Sequence, residues 1–463
     1  MQRVTVLGGA AVAVLILLQM AAPPARADTM EAALLRAYQN NPQLNAQRAT
    51  VRATDENVAQ ALSGYRPKVA ATASGGDQYT NQTAIVSSGR KLEVGPQSPH
   101  AVGVTVTQTL FNGNQTANRT RAAESQVFGA REGLRLMEQS VLLAAATIYM
   151  DYLRDAAILE VQRNNTRVLE VTLKQTRQRY SAGLVTPTDV AQSEAQLAAG
   201  RSQELAAEST LTTTRANFRR IIGNEPEQIA PASPVDRYLP ETLRDAADIS
   251  LAENPGVTAA MYGIDVNFLN VKVNEGALFP TVTLQASAQK NWQQSITSIR
   301  QSSAAAVAQV SMPIYQGGAE YSLIRQSKET LEQQRLNLEQ VRDQARADLV
   351  TAWGQLLAGK AQILSSQSQV TASEIALLGT RKEAAVGQRT VLDVLNAQQA
   401  LVNARIALVT AEHDRVIASY AVLNTIGRLS PQVLRLAAPA YDPAVHYHQV
   451  RDNWFGVRTP GGR

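Results

Sequence analysis

Gly387-Gln388-Arg389-Thr390-Val391-Leu392-Asp393-Val394-Leu395-Asn396 stands between two long helical patterns. Its echo, Gly183-Leu184-Val185-Thr186-Pro187-Thr188-Asp189-Val190, lies 204 residues earlier. Gly, Thr, Asp and Val recur in register. Both stretches read as tips of helical hairpins, over residues 181–189 and 385–393, and the tips as the place where the protein opens and closes.

The flanks of each tip support this. Asn114 to Tyr180 and Gly318 to Ala384 contain no proline, so each run of 67 residues predicts a helix reaching ~100 Å at the α-helical rise. That is far beyond the globular average. Helices over 188–222 and 391–426 bring the chain back. In the last of these Val394, Ala397, Leu401, Ala404, Leu408, Ala411, Ala418 and Val422 follow a three-four heptad pattern, interrupted by Arg415. Beside them Leu395, Val402, Val409, Val416 and Leu423 recur at strict sevens, a spacing that imposes a left-handed supercoil. Alanine along the seam lets helices approach closely, and the stripe is wide enough for more than one neighbour. That suits a helix in a cylindrical wall; an ordinary antiparallel bundle is the alternative.

The echo extends over the chain, and such a repeat decides the fold. Asn41-Pro42 and Pro67 match Asn254-Pro255 and Pro280 at an offset of 213. At an offset of 204, Leu110-Phe111-Asn112-Gly113 matches Ile314-Tyr315-Gln316-Gly317, Tyr149 matches Trp353, and Ile222-Gly223 matches Ile426-Gly427. Nine residues are therefore missing from the second copy between Pro280 and Ile314, as a surface loop tolerates. The expected units are a first repeat over 28–240 with a Pro-rich connector at 223–240, a second over 241–426, and a tail over 427–463 around the middle of the helices.

Each copy begins with a helix that ends before its proline, then shows period-two alternation. Strands are expected at about 68–80 and 100–111, separated by a polar loop, and at about 281–292 and 304–315. Val69, Ala71 and Ala73 alternate with Thr72 and Ser74, and Val102, Val104 and Val106 with Thr105 and Thr107. One apolar and one hydroxyl or amide face suits lipid outside and water inside. Four strands cannot close a barrel, and open edges are forbidden in lipid. Several chains then share one barrel, or the strands form a small soluble sheet capping a bundle.

Composition agrees with extended helices packed through small side chains: aromatics are 5%. With no cysteine, disulfides, thiolate metal sites and a lipid on an N-terminal cysteine are excluded. Net charge is +5, two of it from Arg3 and Arg26, too mild to argue for nucleic acid. Residues 1–27 read as a secretory signal: Arg3, an apolar run centred on Val12 to Leu18, and Ala25-Arg26-Ala27 before Asp28. A membrane anchor is the alternative, but Pro23-Pro24 breaks a short run. No later stretch offers ~20 apolar residues.

No catalytic set emerges. The four histidines, His100, His413, His446 and His448, are scattered, the last two in a tail read as loose. Ser88-Gly89-Arg90-Lys91 matches the Ser-x-x-Lys of β-lactamase-like enzymes without its companion motifs. There is no glycine loop for phosphate. The chain reads as no enzyme, without cofactor or metal.

Taken together, the signal, the duplicated plan, the Leu110-Phe111-Asn112-Gly113 run and the two tips resemble the TolC family of trimeric outer-membrane channel-tunnels. The resemblance covers essentially the whole mature chain. It implies a mainly α fold with a small β part, in which three chains share a twelve-stranded barrel in the outer membrane and a twelve-helix tunnel in the periplasm. It implies a periplasmic adaptor and an inner-membrane RND pump or ABC transporter as partners. The Leu-Phe-Asn-Gly-Asn-Gln-Thr run looks most like the subgroup serving type I protein secretion as well as drug efflux. The family's two acidic rings at the periplasmic mouth map onto Asp393 and Asn396, so one ring of three carboxylates is expected. Without the family, Asp393 reads equally as a solvated acid at a helix N-terminus. The family's latch maps onto Arg389, with Thr188 and Asp189 as partners, while its tyrosine position is Ala384. The tips, Gly183, Leu184, Val185, Thr186, Gly387 and Gln388, are the expected adaptor contact. The function implied is a passive exit duct. The alternatives are a narrow-substrate duct, for example for metal ions, and a secreted coiled-coil structural or adhesive protein.

Overall fold

The computed structural model describes residues 28–461 apart from 87–88, 296–297, 438 and 440. The leader read at residues 1–27 lies outside the described residues. The chain opens with α1 (Met30–Asn40) and α2 (Pro42–Leu62). Asn41 starts α2 by accepting from the N–H groups of Gln43 and Leu44 at 2.9 and 3.3 Å, with Pro42 at the first helical position, where its missing N–H costs nothing. Strands β1 (Lys68–Gly75), β2 (Gln78–Val86), β3 (Gly89–Gln97) and β4 (His100–Asn112) follow, then α3 (Gln115–Ser181) and α4 (Pro187–Ile222). The second half repeats the order with α5 (Leu243–Glu253), α6 (Pro255–Gly276), β5 (Thr281–Ser295), β6 (Ser298–Ser311), α7 (Ala319–Ala385) and α8 (Val391–Thr425). A last helix, α9, spans Pro443–Val450. Asn254 caps α6 as Asn41 caps α2, accepting from Gly256 N–H at 2.8 Å.

Four strands form one antiparallel sheet in the order β1-β4-β5-β6, leaving an open edge at each end. Val69, Val106, Ala286 and Ala306 are directly opposite one another across it, as are Ala71, Val104, Ala288 and Ala304. These rows make one apolar face. The adjacent row, Ala70, Thr105, Ser287 and Ala305, lies on the other face, because successive strand residues point to opposite sides.

Three details differ from the sequence reading. The polar stretch between 80 and 100 is a ribbon of two strands, with Gln78 opposite Gln97 and Val86 opposite Gly89. It prolongs the β1–β4 ladder in the same register, so the nine extra residues lengthen a hairpin rather than loop out. Polar side chains are no obstacle to a ribbon whose faces need no apolar core. Strand β6 runs Ser298–Ser311 and stops short of Ile314 and Tyr315, since Pro313 has no N–H to continue a ladder. The tail is not loose: α9 packs on α2, and His446 Nδ1 lies 2.9 Å from Asp55.

The two 67-residue helices α3 and α7 run the length of the helical part. Nearer the sheet the neighbours run α2, α3, α6, α7; beyond the middle they run α4, α3, α8, α7. The wide stripe on α8 thus has two partners, α3 and α7. The main core lies at mid-height, where Tyr149, Phe218, Leu349 and Leu423 are buried with the connector and the start of the tail. Tyr149 Oη lies 2.8 and 2.6 Å from the carbonyl oxygens of Asp28 and Ala230, which share its one proton, tying the first described residue and the connector to α3. Arg415, which interrupts the α8 heptad, is buried and pairs with Asp236 of the connector. The break in the pattern is a tether.

Candidate functional site at the hairpin tips

Each tip is made by two local devices that the shared residues supply. At the end of α3, Gly183 sits at φ +75°, where a Cβ is disfavoured. Its N–H donates to Tyr180 and that of Leu184 to the Arg179 carbonyl, both at 2.9 Å. At the end of α7, Gly387 sits at φ +83°. Gly387 N–H donates to Ala384 at 3.3 Å and Gln388 N–H to the Glu383 carbonyl at 2.9 Å. These bonds satisfy carbonyls left over at a helix end. Val185 is half-buried, whereas Leu184 and Gln388 are exposed.

The next helix starts on the shared threonine and aspartate. Thr186 accepts from the N–H of Asp189 at 3.3 Å, and the Asp189 carboxylate accepts from Thr186 N–H at 2.9 Å. In the second tip Thr390 accepts from Asp393 N–H at 3.1 Å, and the Asp393 carboxylate accepts from the N–H and hydroxyl of Thr390 at 3.0 and 2.8 Å. Two reciprocal capping boxes result. The main-chain N–H of Thr390, then its hydroxyl, hold the Asp393 carboxyl below the usual carboxylate range. Asp393 is therefore a fixed negative charge at neutral pH.

The hairpins are braced alike. Arg201 pairs with Glu170 at 2.8 Å between α4 and α3, and Arg405 with Glu374 at 2.7 Å between α8 and α7. Arg177 pairs with Glu194 at 2.7 Å, and at the matching positions Arg381 donates to Gln398 Oε1 at 2.9 Å. Gln398 is buried and also donates to Asn165 Oδ1 of α3 at 3.2 Å. Leu169, Leu173, Leu197 and Leu395 form a small apolar cluster joining the two hairpins.

Arg389 donates from Nε to Glu383 at 2.9 Å within its own hairpin, and the bond to Glu383 raises its pKa. No bond between Arg389 and Thr188 or Asp189 of the same chain is seen among the described residues; Thr188 is exposed, and Asp189 is engaged in its capping box. Asn396 is exposed and Ala384 buried. Glu383 and Gln398 were not singled out from the sequence. For Gln398 the signal is its place 204 residues after Glu194, whereas Glu383 reaches Arg389 only across the turn. Among the described residues no group of three or more His, Asp or Glu could hold a metal ion, and no helix is long and apolar enough to cross a membrane.

The sequence profile described as outer membrane efflux protein matches residues 33–224 and 246–428, one stretch in each half. The chain belongs to the outer membrane efflux protein family. It is 40% identical over 440 residues to outer membrane efflux protein BepC of Brucella suis, covering 95% of this chain and 94% of that one. It is 24% identical to alkaline protease secretion protein AprF of Pseudomonas aeruginosa, over 89% of this chain and 88% of the relative. The fold matches the Campylobacter jejuni CmeC outer membrane channel with a TM-score of 0.77 at 16% identity, over 91% of this chain and 89% of that one. Membership places this efflux protein in the outer membrane, extending into the periplasm.

Proposed function

We propose that three copies of this chain close into one passive exit duct, with a twelve-stranded barrel in the outer membrane and a twelve-helix tunnel below it. The observation that carries this is that a single chain is unfinished at both ends of its wall. Strands β1 and β6 have open edges, which lipid does not tolerate. The flanking helices α4 and α7 are also open. Ala191, Ala195, Ala198, Ser202, Leu205, Ser209, Thr212 and Ala216 are all exposed along α4 at alternating four-three spacing. At the same height α7 exposes Leu357, Leu364, Ile375 and Leu378. A seam of small residues on one flank, broken once by Leu205, suits a stripe of large ones on the other. Joining different surfaces head to tail gives a ring when the rotation closes.

Within this reading the two halves derive from one duplicated unit. The tip of α7–α8 forms the periplasmic gate, with three Asp393 carboxylates in one ring and Asn396 in place of a second. Like charges at a narrow mouth attract cations and repel anions. Arg389 serves as the latch toward Thr188 and Asp189 of the neighbouring chain, in competition with Glu383 of its own hairpin. The tips around Gly183 and Gly387 receive a periplasmic adaptor. An inner-membrane RND pump or ABC transporter supplies the energy, in efflux or type I secretion; the names of BepC and AprF support these two uses. The test is migration and conductance of the purified protein. A trimer that heating dissociates and discrete channels in a planar bilayer are expected; a monomer in detergent and a silent bilayer would end the proposal.

A further inference from the structure

The C-terminal tail climbs α2 in step with it. Tyr441 lies against Arg48, whose guanidinium is 5.0 Å from its ring, and accepts from Arg52 at 3.4 Å. His446 meets Asp55 at 2.9 Å, and Tyr447 packs on the cluster of Val58, Ala123 and Val127. Arg66 then donates to the Asn453 carbonyl and lies 4.8 Å over the Trp454 ring. Tail residues 441 to 454 thus follow residues 48 to 66, along α2 and just past its end at Leu62, in the same direction. Both arrive at one place, since Arg66 is followed by Pro67 and by Lys68, the first residue of β1.

What the tail delivers there is apolar and uncovered. Trp454 is 64% exposed, Phe455 95% and Val457 100%. The same level, where strands meet helices, carries other exposed large side chains: Tyr65 before β1, Leu110 near the end of β4, Phe279 before β5, and Ile314 and Tyr315 after β6. Aromatic side chains with an apolar body and a polar edge concentrate at membrane–water interfaces. Arg458 follows on the exposed chain, and a cation there suits anionic lipid headgroups. The chain has no cysteine to carry an acyl anchor.

We propose that Trp454-Phe455-Gly456-Val457 is a membrane-surface anchor seated in the periplasmic leaflet of the outer membrane, with phospholipid as its partner. The Arg66–Trp454 clamp sets its depth. This rests on the reading of the four-stranded sheet as part of a membrane barrel.

The test uses the full mature protein with Trp292→Phe and Trp353→Phe, so that Trp454 alone emits, in vesicles of phosphatidylethanolamine and phosphatidylglycerol. Lipids brominated high on the acyl chain should remove most of its emission, while aqueous iodide quenches it several-fold less than free tryptophanamide. Phe455→Ser with Val457→Ser should reverse both effects. Because the chain lacks cysteine, Val457→Cys carrying a nitroxide label gives a second readout in the otherwise unaltered protein: greater access to oxygen than to a water-soluble nickel complex. Trp454 quenched by iodide but not by brominated lipid overturns the anchor. Protection from both also overturns it, because protein then covers the patch. Conductance of the same vesicles separates the two claims, since conducting vesicles with Trp454 in water overturn the anchor alone.

Discussion

The two hairpin tips share a frame and differ in what is mounted on it. Both close with glycine at positive φ and reopen with a Thr–Asp capping box. Both carry the same Arg–Glu brace, Arg201 with Glu170 and Arg405 with Glu374. The first tip has Pro187 at the start of its second helix, where the second has Val391. The first braces Arg177 with a carboxylate, Glu194, on an exposed surface. The second uses Gln398, buried against α3, which must donate to Asn165 as well as accept from Arg381. A carboxylate cannot donate, so an amide serves at position 398, where α8 has α3 as a second neighbour. The shared frame shapes both tips, and the differences follow the neighbours that each hairpin has within the chain.

Breaking the shared apolar contact should have the largest effect. Leu395 is buried between the hairpins, so Leu395→Ala should cost about 3 kcal/mol and loosen both tips, read as lost amide-exchange protection in α4 and α8. Swapping the two brace residues sharpens the comparison. Gln398→Glu leaves Asn165 Oδ1 without its donor and should cost about 1–3 kcal/mol. Glu194→Gln, at an exposed pair, should cost at most about 0.5 kcal/mol. Equal costs in thermal unfolding would contradict the account of position 398. Thr390→Ala should cost ~1 kcal/mol through loss of the cap. Thr186→Ala should cost less, since Pro187 already fixes the helical φ; amide exchange at Asp393 and Asp189 compares them.

Two smaller effects are read electrically. Reversing charge with Arg389→Glu should raise conductance, and Glu383→Gln should lower it by freeing Arg389 for the neighbouring chain. Asp393 titrates below the usual carboxylate range. Its capping contribution is therefore complete above the ordinary carboxylate value and is lost as pH falls through the lowered one. In the proposed ring the two neighbouring carboxylates oppose this lowering, and cation selectivity should fade as falling pH protonates the three. Reversal potentials for the native chain and for Asp393→Asn measure this, and an unchanged selectivity in the variant would contradict the gate assignment.

The tips and long helices were legible because their signals are local: glycine at a helix end, absence of proline, and heptads carried for many turns. The Asn-Pro pairs were legible as matching landmarks and prove to be helix starts. Four features were not legible. The β2–β3 ribbon is polar, and period-two alternation has nothing to contrast with there. The bond from His446 to Asp55 joins residues 391 apart in sequence, and no spacing rule reaches that far. Arg415 reads as a flaw in a heptad until Asp236 is seen beside it. The partner of Arg389 was also hidden, because Glu383 lies in the preceding helix and only the turn brings it within 2.9 Å.

The central claim is that one chain's α4 flank meets the next chain's α7 flank until three have closed. Cysteine substitution tests it directly in a chain that has none. Ala198→Cys and Leu378→Cys, combined in one polypeptide and oxidised in the membrane, should give disulfide-linked dimers and trimers on a denaturing gel and nothing larger, with neither single substitution progressing beyond a dimer. A double variant that stays monomeric after oxidation, or forms a ladder running past three chains, would contradict it.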